Sequence, residues 1–288
     1  MPLQLHQNLN LLLLLILGSL TANISMSWLN IGFILLFTLI LEHFFLYFNK
    51  SRSFYFSYSA LSTAIGIVVL MYSTSLWIYL LVISLALAQK HFLNFQNRHL
   101  FNPSNFALIM ALLLFYNDAH MISGQLGDEP LFAMVVFVLA MSILVRVQRW
   151  IIPIVFVFFY LTLQYFFIVQ YDPVVFFEEV YHRFYSIGFM LFIYFMLTDP
   201  VVTPSTWQGQ TLFAFLVAFL IALLDRFYGF RVQHLFMSVF LFSFFVNLLP
   251  LKMLSISQLK LAMIILLFSI STLVYIELQP PYYFEMNG

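Results

Sequence analysis

Residues 101–116, Phe-Asn-Pro-Ser-Asn-Phe-Ala-Leu-Ile-Met-Ala-Leu-Leu-Leu-Phe-Tyr, open on amide and hydroxyl groups and then turn wholly apolar. A helix needs about 20 apolar residues to cross a hydrocarbon layer of roughly 30 Å. This stretch is too short, and too polar at its start, for an ordinary lipid-facing span. It reads as a broken or re-entrant helix sheltered inside a bundle of other helices. Pro103 suits the first helical position and Asn102 its cap, while Ser104 and Asn105 carry further hydrogen-bonding groups to the interface or just below it. A helix start at membrane depth offers partial positive charge and free N–H groups to an anionic group. A capped helix end at the surface is the alternative reading.

The rest of the chain supplies that bundle. Of its 288 residues 64% are hydrophobic, 20% aromatic and only 8% charged, against about a quarter charged in soluble domains, so the chain belongs in a membrane. Eleven Lys and Arg balance eleven Asp and Glu, which leaves no basic patch for nucleic acid. The absence of cysteine excludes disulfides, thiolate metal sites and a cysteine nucleophile. Long uncharged runs place spans near 8–25, 28–48, 56–72, 76–94, 103–116, 131–146, 150–170, 184–198, 210–225, 234–250 and 261–277. The expected fold is an all-α polytopic membrane helical bundle of about 10–11 spans, divided into N-terminal membrane helices (1–54), a first repeat (55–149) and a second repeat with a C-terminal helix (150–288). The first run lacks a small-residue cleavage pattern and reads as a retained helix.

Positive charge at span ends orients such a bundle. With the N-terminus inside, Lys50, Arg52, Lys90, Arg98, Arg146, Arg149, Lys252 and Lys260 fall inside and Arg183, Arg226 and Arg231 outside. The expectation is an N-terminus in the cytoplasm and a C-terminus outside, in a bacterial inner membrane.

Leu131-Phe132-Ala133 and Leu212-Phe213-Ala214 each open a long apolar run that ends in arginine. They would enter the membrane from opposite sides, the pattern of an inverted repeat. A second match, His99-Leu100-Phe101 with His234-Leu235-Phe236, falls in the wrong order relative to the first and reads as chance.

Membrane-embedded polar groups are costly, although helix packing also uses them as glue. In the outer loop, Ser123, Gly124 and Gly127 stand among groups able to surround a polar cofactor; a solvated acidic loop is the plainer reading. In the inner loop after residue 198, Asp199 precedes Pro200, with Thr203, Ser205 and Thr206 close by. Asp199 either caps the following turn or sits with Thr203 and Thr206 on an ion or solute pathway. Glu42 and His43 lie about two helical turns from Lys50, where snorkelling or pairing accounts for them. The histidines fall mostly at span ends or in loops, which does not suit axial haem ligation. No phosphate-cradling glycine loop and no nucleophile with its base is visible, so no catalytic residue or metal ligand is assigned.

Ser59-Ala60-Leu61-Ser62-Thr63, Lys90, Phe101-Asn102-Pro103-Ser104-Asn105, Gly124 to Glu129, Arg149-Trp150-Ile151-Ile152-Pro153, Thr198-Asp199-Pro200 with Pro204, Thr206 and Gly209, and Asn247-Leu248-Leu249-Pro250 occur in that order. As an ordered set they resemble the NqrB/RnfD family of membrane electron-transport subunits, most closely a short branch labelled after an enediyne-biosynthesis protein. The resemblance covers roughly residues 55 to 255. It implies two inverted helical repeats similar to urea transporters, and a subunit of a membrane oxidoreductase complex that takes part in flavin-linked electron transfer and coupled cation transport.

Family members typically carry FMN on a threonine in an outer loop. The matching loop here, Gly124 to Leu131, has no threonine, which argues against covalent attachment. The cofactor expectation is therefore non-covalent FMN or riboflavin. The phosphate would lie at the helix start formed by Asn102, Pro103, Ser104 and Asn105, or the ring between the repeats. The partners implied are the lipid bilayer and other membrane redox subunits. A small-solute or ion transporter without a redox cofactor is the competing function, and an assembly subunit with no site of its own is a third. All but the last need the Asn-Pro and Asp-Pro turns to converge, from opposite leaflets, on one enclosed pocket.

Overall fold

A computed structural model describes residues 3–21, 26–48, 57–95, 98–123, 127, 129–171, 175–248 and 256–279. Among these residues the helices are α1 (Leu3–Thr21), α2 (Trp28–Phe48), α3 (Tyr58–Leu70), α4 (Leu76–Phe92), α5 (Pro103–Leu114), α6 (Pro130–Val147), α7 (Ile151–Gln164), α8 (Phe177–His182), α9 (Ile187–Leu191), α10 (Trp207–Tyr228), α11 (Gln233–Leu248) and α12 (Ile256–Leu278). α7 and α9 run on into π-helical turns over Tyr165–Val169 and Phe192–Met196. The strands are short: β1 (Met71–Ser73) pairs antiparallel with β4 (Ala119–Met121), and β2 (Asn94–Phe95) with β3 (Arg98–His99).

The chain is an all-α polytopic membrane bundle. Five helices, α2, α6, α7 with its π-turn, α10 and α12, are long and apolar enough to cross a membrane, and α1, α3, α4, α5, α9 and α11 are shorter apolar helices. Each of the eleven expected spans coincides with one of them; α8 is an addition. Leu29, Leu36, Ile40 and Tyr47 on α2, and Leu131, Met134, Val138 and Val145 on α6, point large apolar side chains outward, a surface suited to lipid rather than water. α5 is the opposite case. Every residue from Pro103 to Leu112 is buried, as expected of a twelve-residue helix that cannot span alone.

The helices alternate in direction. Asn8 of α1 donates to the Tyr58 carbonyl at the start of α3, and the turn after α9 meets Asn102 at the start of α5, so these elements share one end of the bundle. β1 and β4, the end of α5 and the start of α9 lie at the other. Within this frame the packing repeats. α1 packs on α3, α2 on α4 and α4 on α5; likewise α6 packs on α9, α7 on α10 and α10 on α11. α1 touches α6, and α5 touches α11, where the two units meet. Each unit holds five consecutive crossings, α8 aside. That number is odd, so the second unit starts from the opposite end and is inverted.

This pattern reverses the reading of the two sequence echoes. α6 occupies the place of α1, not of α10, so the Leu-Phe-Ala match relates helices that are not equivalent. The His-Leu-Phe match is the one in register. Phe101 stacks on Phe240 with ring centroids 4.5 Å apart, and the Asn105 side-chain amide donates to the Phe236 carbonyl at 3.1 Å. Phe101 and Phe236 are 135 residues apart, as are Asn105 and Phe240, so the two contacts are the same contact seen from either repeat. A linear match scored on order alone misses this because apolar triplets recur by chance in any membrane helix. The contacts also place α1 and α2 with the first unit and α6 with the second, where the sequence division began the second at 150.

The second unit is held to the first at the start of α9. The Gly188 and Ser186 side of that helix accepts no bulk: Gly188 N–H donates to the Ser123 carbonyl at 2.8 Å, and Ser186 Oγ donates to the same oxygen. A β-carbon on Gly188 would stand 2.3 Å from the Ser123 carbonyl oxygen, whereas one on Gly32 meets nothing within 4 Å. Gly188→Ala is expected to cost about 1–3 kcal/mol and Gly32→Ala almost nothing, as read from thermal unfolding of the detergent-solubilised variants.

Candidate functional site

A cavity of about 300 Å³ lies between the two units. Its walls come from α1 (Gln7, Leu11, Leu14), α3 from Ser59 to Leu70, the start of α5, the end of α6, and the π-turn after α9. Eleven helical steps from Ser59 to Leu70 span about 16 Å at 1.5 Å each, so the cavity follows α3 over most of its length. Its lining changes along that depth. Ser59, Ser62, Thr63, Lys90, His99, Asn102, Ser104 and Asp199 ring the Asn102 end, and Leu14, Val69, Leu70 and Leu191 form the far end. α3 and α5 can approach because small residues face each other: a β-carbon on Gly66 would stand 3.0 Å from Ser104 Oγ. The π-turn sets Tyr194, Phe195 and Met196 on the wall, since the wider turn redirects consecutive side chains.

The Asn-Pro and Asp-Pro turns do meet. Asn102 Nδ2 donates to Asp199 Oδ2 at 2.8 Å, while Asn102 Oδ1 caps α5 by accepting from the Asn105 N–H at 3.1 Å. One amide thus closes a helix end with its oxygen and holds a carboxylate with its nitrogen. Asp199 Oδ1 accepts from the Val201 N–H at 3.0 Å, and His99 Nε2 stands 3.9 Å from Oδ2. Burial pushes the Asp199 carboxyl up, but His99, the Val201 N–H and the Asn102 amide outweigh it and hold the group below the ordinary aspartate range. Contrary to the expectation of opposite leaflets, both turns belong to one end of the bundle. α9 and its π-turn run from the Ser123 end down to Asp199, so the Asp-Pro turn follows a helix end, whereas the Asn-Pro turn begins a helix.

The remaining expected site residues divide among other tasks. Asn105 is fully buried and directed at α11 rather than the cavity. Thr203 donates to the Asp199 carbonyl and accepts from Arg149 Nε at 3.1 Å. Thr206 caps α10 by accepting from the Gly209 N–H at 3.2 Å. Neither threonine lines the cavity, so of the pathway set only Asp199 does. Ser123 and Gly127 lie at the other end, where their carbonyls accept from the Gly188 and Ile187 N–H groups and hold the start of α9. Gly127 has φ of 97°, a conformation open to glycine. Gly124 lies outside the described residues. The cofactor set is therefore split between two ends and does not form one site.

Lys90 joins the cavity to a buried ionic cluster. Its ammonium bonds Glu42 Oε1 and Ser59 Oγ. His91 Nε2 lies 2.9 Å from Glu42 Oε2, and Ser57 Oγ donates to Oε1 at 3.0 Å. Glu42 is fully buried, so pairing, not snorkelling, accounts for it. Ser59, Ser62 and Thr63 were visible only as parts of the ordered motif set, and Lys90 there and as a positive charge at a span end; nothing in the linear sequence gives them a common target.

The α5 start offers little to a phosphate. Pro103 has no N–H, the N–H of Asn105 is taken by its own cap, and the Asp199 carboxylate occupies the position facing it. The phosphate of FMN does not fit there.

Residues 114–253 match the NQR2, RnfD, RnfE family. Over that stretch, just under half of its length, the chain is similar to this family. The match takes in Arg149, Asp199, Thr203 and Thr206, whereas Asn102 to Asn105 precede it. No curated protein matches the chain. The match agrees with a membrane subunit of Nqr/Rnf-type complexes, and the Asp199 half of the junction lies within the matched stretch.

Asn102→Ala removes the cap and releases Asp199, and is expected to cost about 1–2 kcal/mol. Ser238 has a buried hydroxyl with no partner among the described residues, so Ser238→Ala is expected to be neutral or slightly stabilising. Thermal unfolding of the two variants beside the parent protein distinguishes them.

Proposed function

We propose that the chain serves as the membrane subunit of an Nqr/Rnf-type electron-transfer complex in which the inter-unit cavity holds an uncharged flavin, riboflavin rather than FMN. The observation that carries this reading is the gradient of the lining, polar at the Asn102 end and apolar beyond Gly66. An isoalloxazine ring has a hydrogen-bonding pyrimidine edge and an apolar dimethylbenzene edge, which suit those two ends. The cavity is at the small end of the roughly 300–1,000 Å³ range of ligand sites. Asn102, His99, Ser62, Thr63 and Ser104 would hold the polar edge, and Leu14, Val69 and Leu191 would shield the other from water. A bound flavin supplies one- and two-electron chemistry; the chain's residues orient it and set its surroundings.

A coupled cation is the second reading, favoured by Asp199. Its carboxylate is partly exposed at the cavity and stays ionised at neutral pH, so it attracts a cation where a neutral lining would not. Lys90 is already balanced by Glu42 and does not cancel it. The positive side chains Lys90, Arg98, Arg146, Arg149 and Lys260 gather at the Asn102 end, against Arg183, Arg226 and Arg231 at the other. This asymmetry supports a cytoplasmic Asn102 end and N-terminus in a bacterial inner membrane.

The test of the first reading is the visible spectrum of the purified chain with extraction of its flavin. Riboflavin released by mild denaturation is expected, with less retained by Asn102→Ala; a colourless protein, or one that yields only FMN, refutes it. For the second, uptake of Na⁺ into proteoliposomes is expected to fall at least about tenfold in Asp199→Asn. Because the Asp199 carboxyl sits below its ordinary value of about 3.9, uptake should be flat from about pH 5 to pH 8 and decline only as acid approaches that carboxyl's own range. Uptake equal to that of empty vesicles removes the cation role.

A further inference from the structure

The end of the bundle away from the cavity carries a second buried cluster that neither reading uses. α10 rises about 33 Å over its 22 residues and brings Asp225 there. Asp225 Oδ1 lies 2.6 Å from His234 Nδ1 at the start of α11, and His234 Nε2 faces Glu277 Oε1 of α12 at 3.2 Å. The side chains of Asp225 and His234 are fully buried and that of Glu277 nearly so. We propose that Asp225, His234 and Glu277 form a proton-binding site that takes up and releases one proton at the His234 end of the bundle.

A neutral imidazole carries one N–H and one lone pair. If the N–H lies on Nδ1, the lone pair of Nε2 points at the Glu277 carboxylate. If it lies on Nε2, the lone pair of Nδ1 points at Asp225 across 2.6 Å. Either arrangement sets lone pair against lone pair in a site from which water is excluded, where such repulsion is strong. One additional proton, on the ring or shared with a carboxylate, removes the conflict. The surrounding charge acts the other way. Arg183 Nη1 stands 3.9 Å from Asp225 Oδ2, and Arg231 Nη1 3.6 Å from Glu277 Oε2. Two guanidinium groups already balance two carboxylates, so the extra proton leaves the cluster with net positive charge. Local contact demands the proton while the total charge opposes it. Those two effects of opposite sign make it exchangeable rather than fixed.

Every element packed around the ring contributes to that balance. α7 supplies Gln164, whose amide donates to Asp225 Oδ2 at 2.6 Å, and Tyr160, whose hydroxyl accepts from Arg183 at 2.9 Å. The Arg231 N–H donates to Asp225 Oδ1 at 3.1 Å, and Gln233 donates to Glu277 Oε1 at 2.9 Å. Tyr116, after α5, stands beside Gln233, Arg231 and Glu277. Among the charged members of the cluster the Arg231 side chain is the most open, at 25% against 11% for Arg183, so the Glu277 edge is where the proton meets water. His234 is the repeat counterpart of His99, and each imidazole faces a carboxylate of the second unit, Asp225 for His234 and Asp199 for His99.

Nitrogen NMR of the full-length protein in detergent micelles, with ¹⁵N-labelled histidine and His234→Asn to assign the signal, tests the site directly. The His234 ring is expected to pass reversibly between two protonation states within about pH 5 to pH 9. Glu277→Gln is expected to move the midpoint by about one unit or more, a tenfold change in proton affinity. A ring that keeps one state across that range, or a midpoint indifferent to Glu277→Gln, overturns the proposal. Should Glu277→Gln fail to fold, Arg231→Gln, at the exposed edge, replaces it under the same criterion. The readout does not depend on flavin or cation binding in the cavity, so its failure would leave those readings where they stand.

Discussion

The crossing of α5 and α11 is the contact on which the rest of the structure depends. A twelve-residue helix cannot satisfy a bilayer by itself, because the groups at its start would meet hydrocarbon. Here the Asn105 amide donates to the Phe236 carbonyl while Phe101 stacks on Phe240, so the opening of α5 is buried in protein. Fixing that point fixes Asn102 three residues earlier, and with it Asp199. The cavity exists because α5 begins inside the bundle instead of at its surface.

Both ends of the molecule show how costly polar groups are kept. Glu42 holds Lys90 and His91, and Asp225 holds His234 and Gln164, in each case with charge met by charge or amide. Breaking one member of such a buried set strands the others, at about 3–5 kcal/mol. Lys90 and Asp225 are 135 residues apart, the separation that also relates Phe101 to Phe236. The two clusters therefore sit at corresponding places in inverted units, with the signs of charge exchanged.

The polar starts of helices were legible in the sequence to different depths. Asn102-Pro103 announces a capped helix because cap and proline act over three residues, and the structure shows that cap. Thr206 read as a pathway hydroxyl near Asp199, whereas it caps the start of α10. Ser123 and Gly127 looked like cofactor ligands, yet their carbonyls hold the start of α9, a task set by a helix some sixty residues away. Glu42 looked like an interfacial acid because its partners, Lys90 and His91, are nearly fifty residues distant.

By itself the sequence determined that this chain lives in a membrane, that it crosses as some eleven apolar helices, and that one of them is too short to face lipid. These follow from composition and run length, which a bilayer reads directly. Only the tertiary structure decided which of two triplet echoes is the true repeat, which end each polar turn occupies, and which carboxylates share a cavity or an imidazole. Such pairings depend on how whole helices are brought together, at sequence separations from 9 to 131 residues. Apolar stretches of nearly uniform composition carry no local mark of their neighbours.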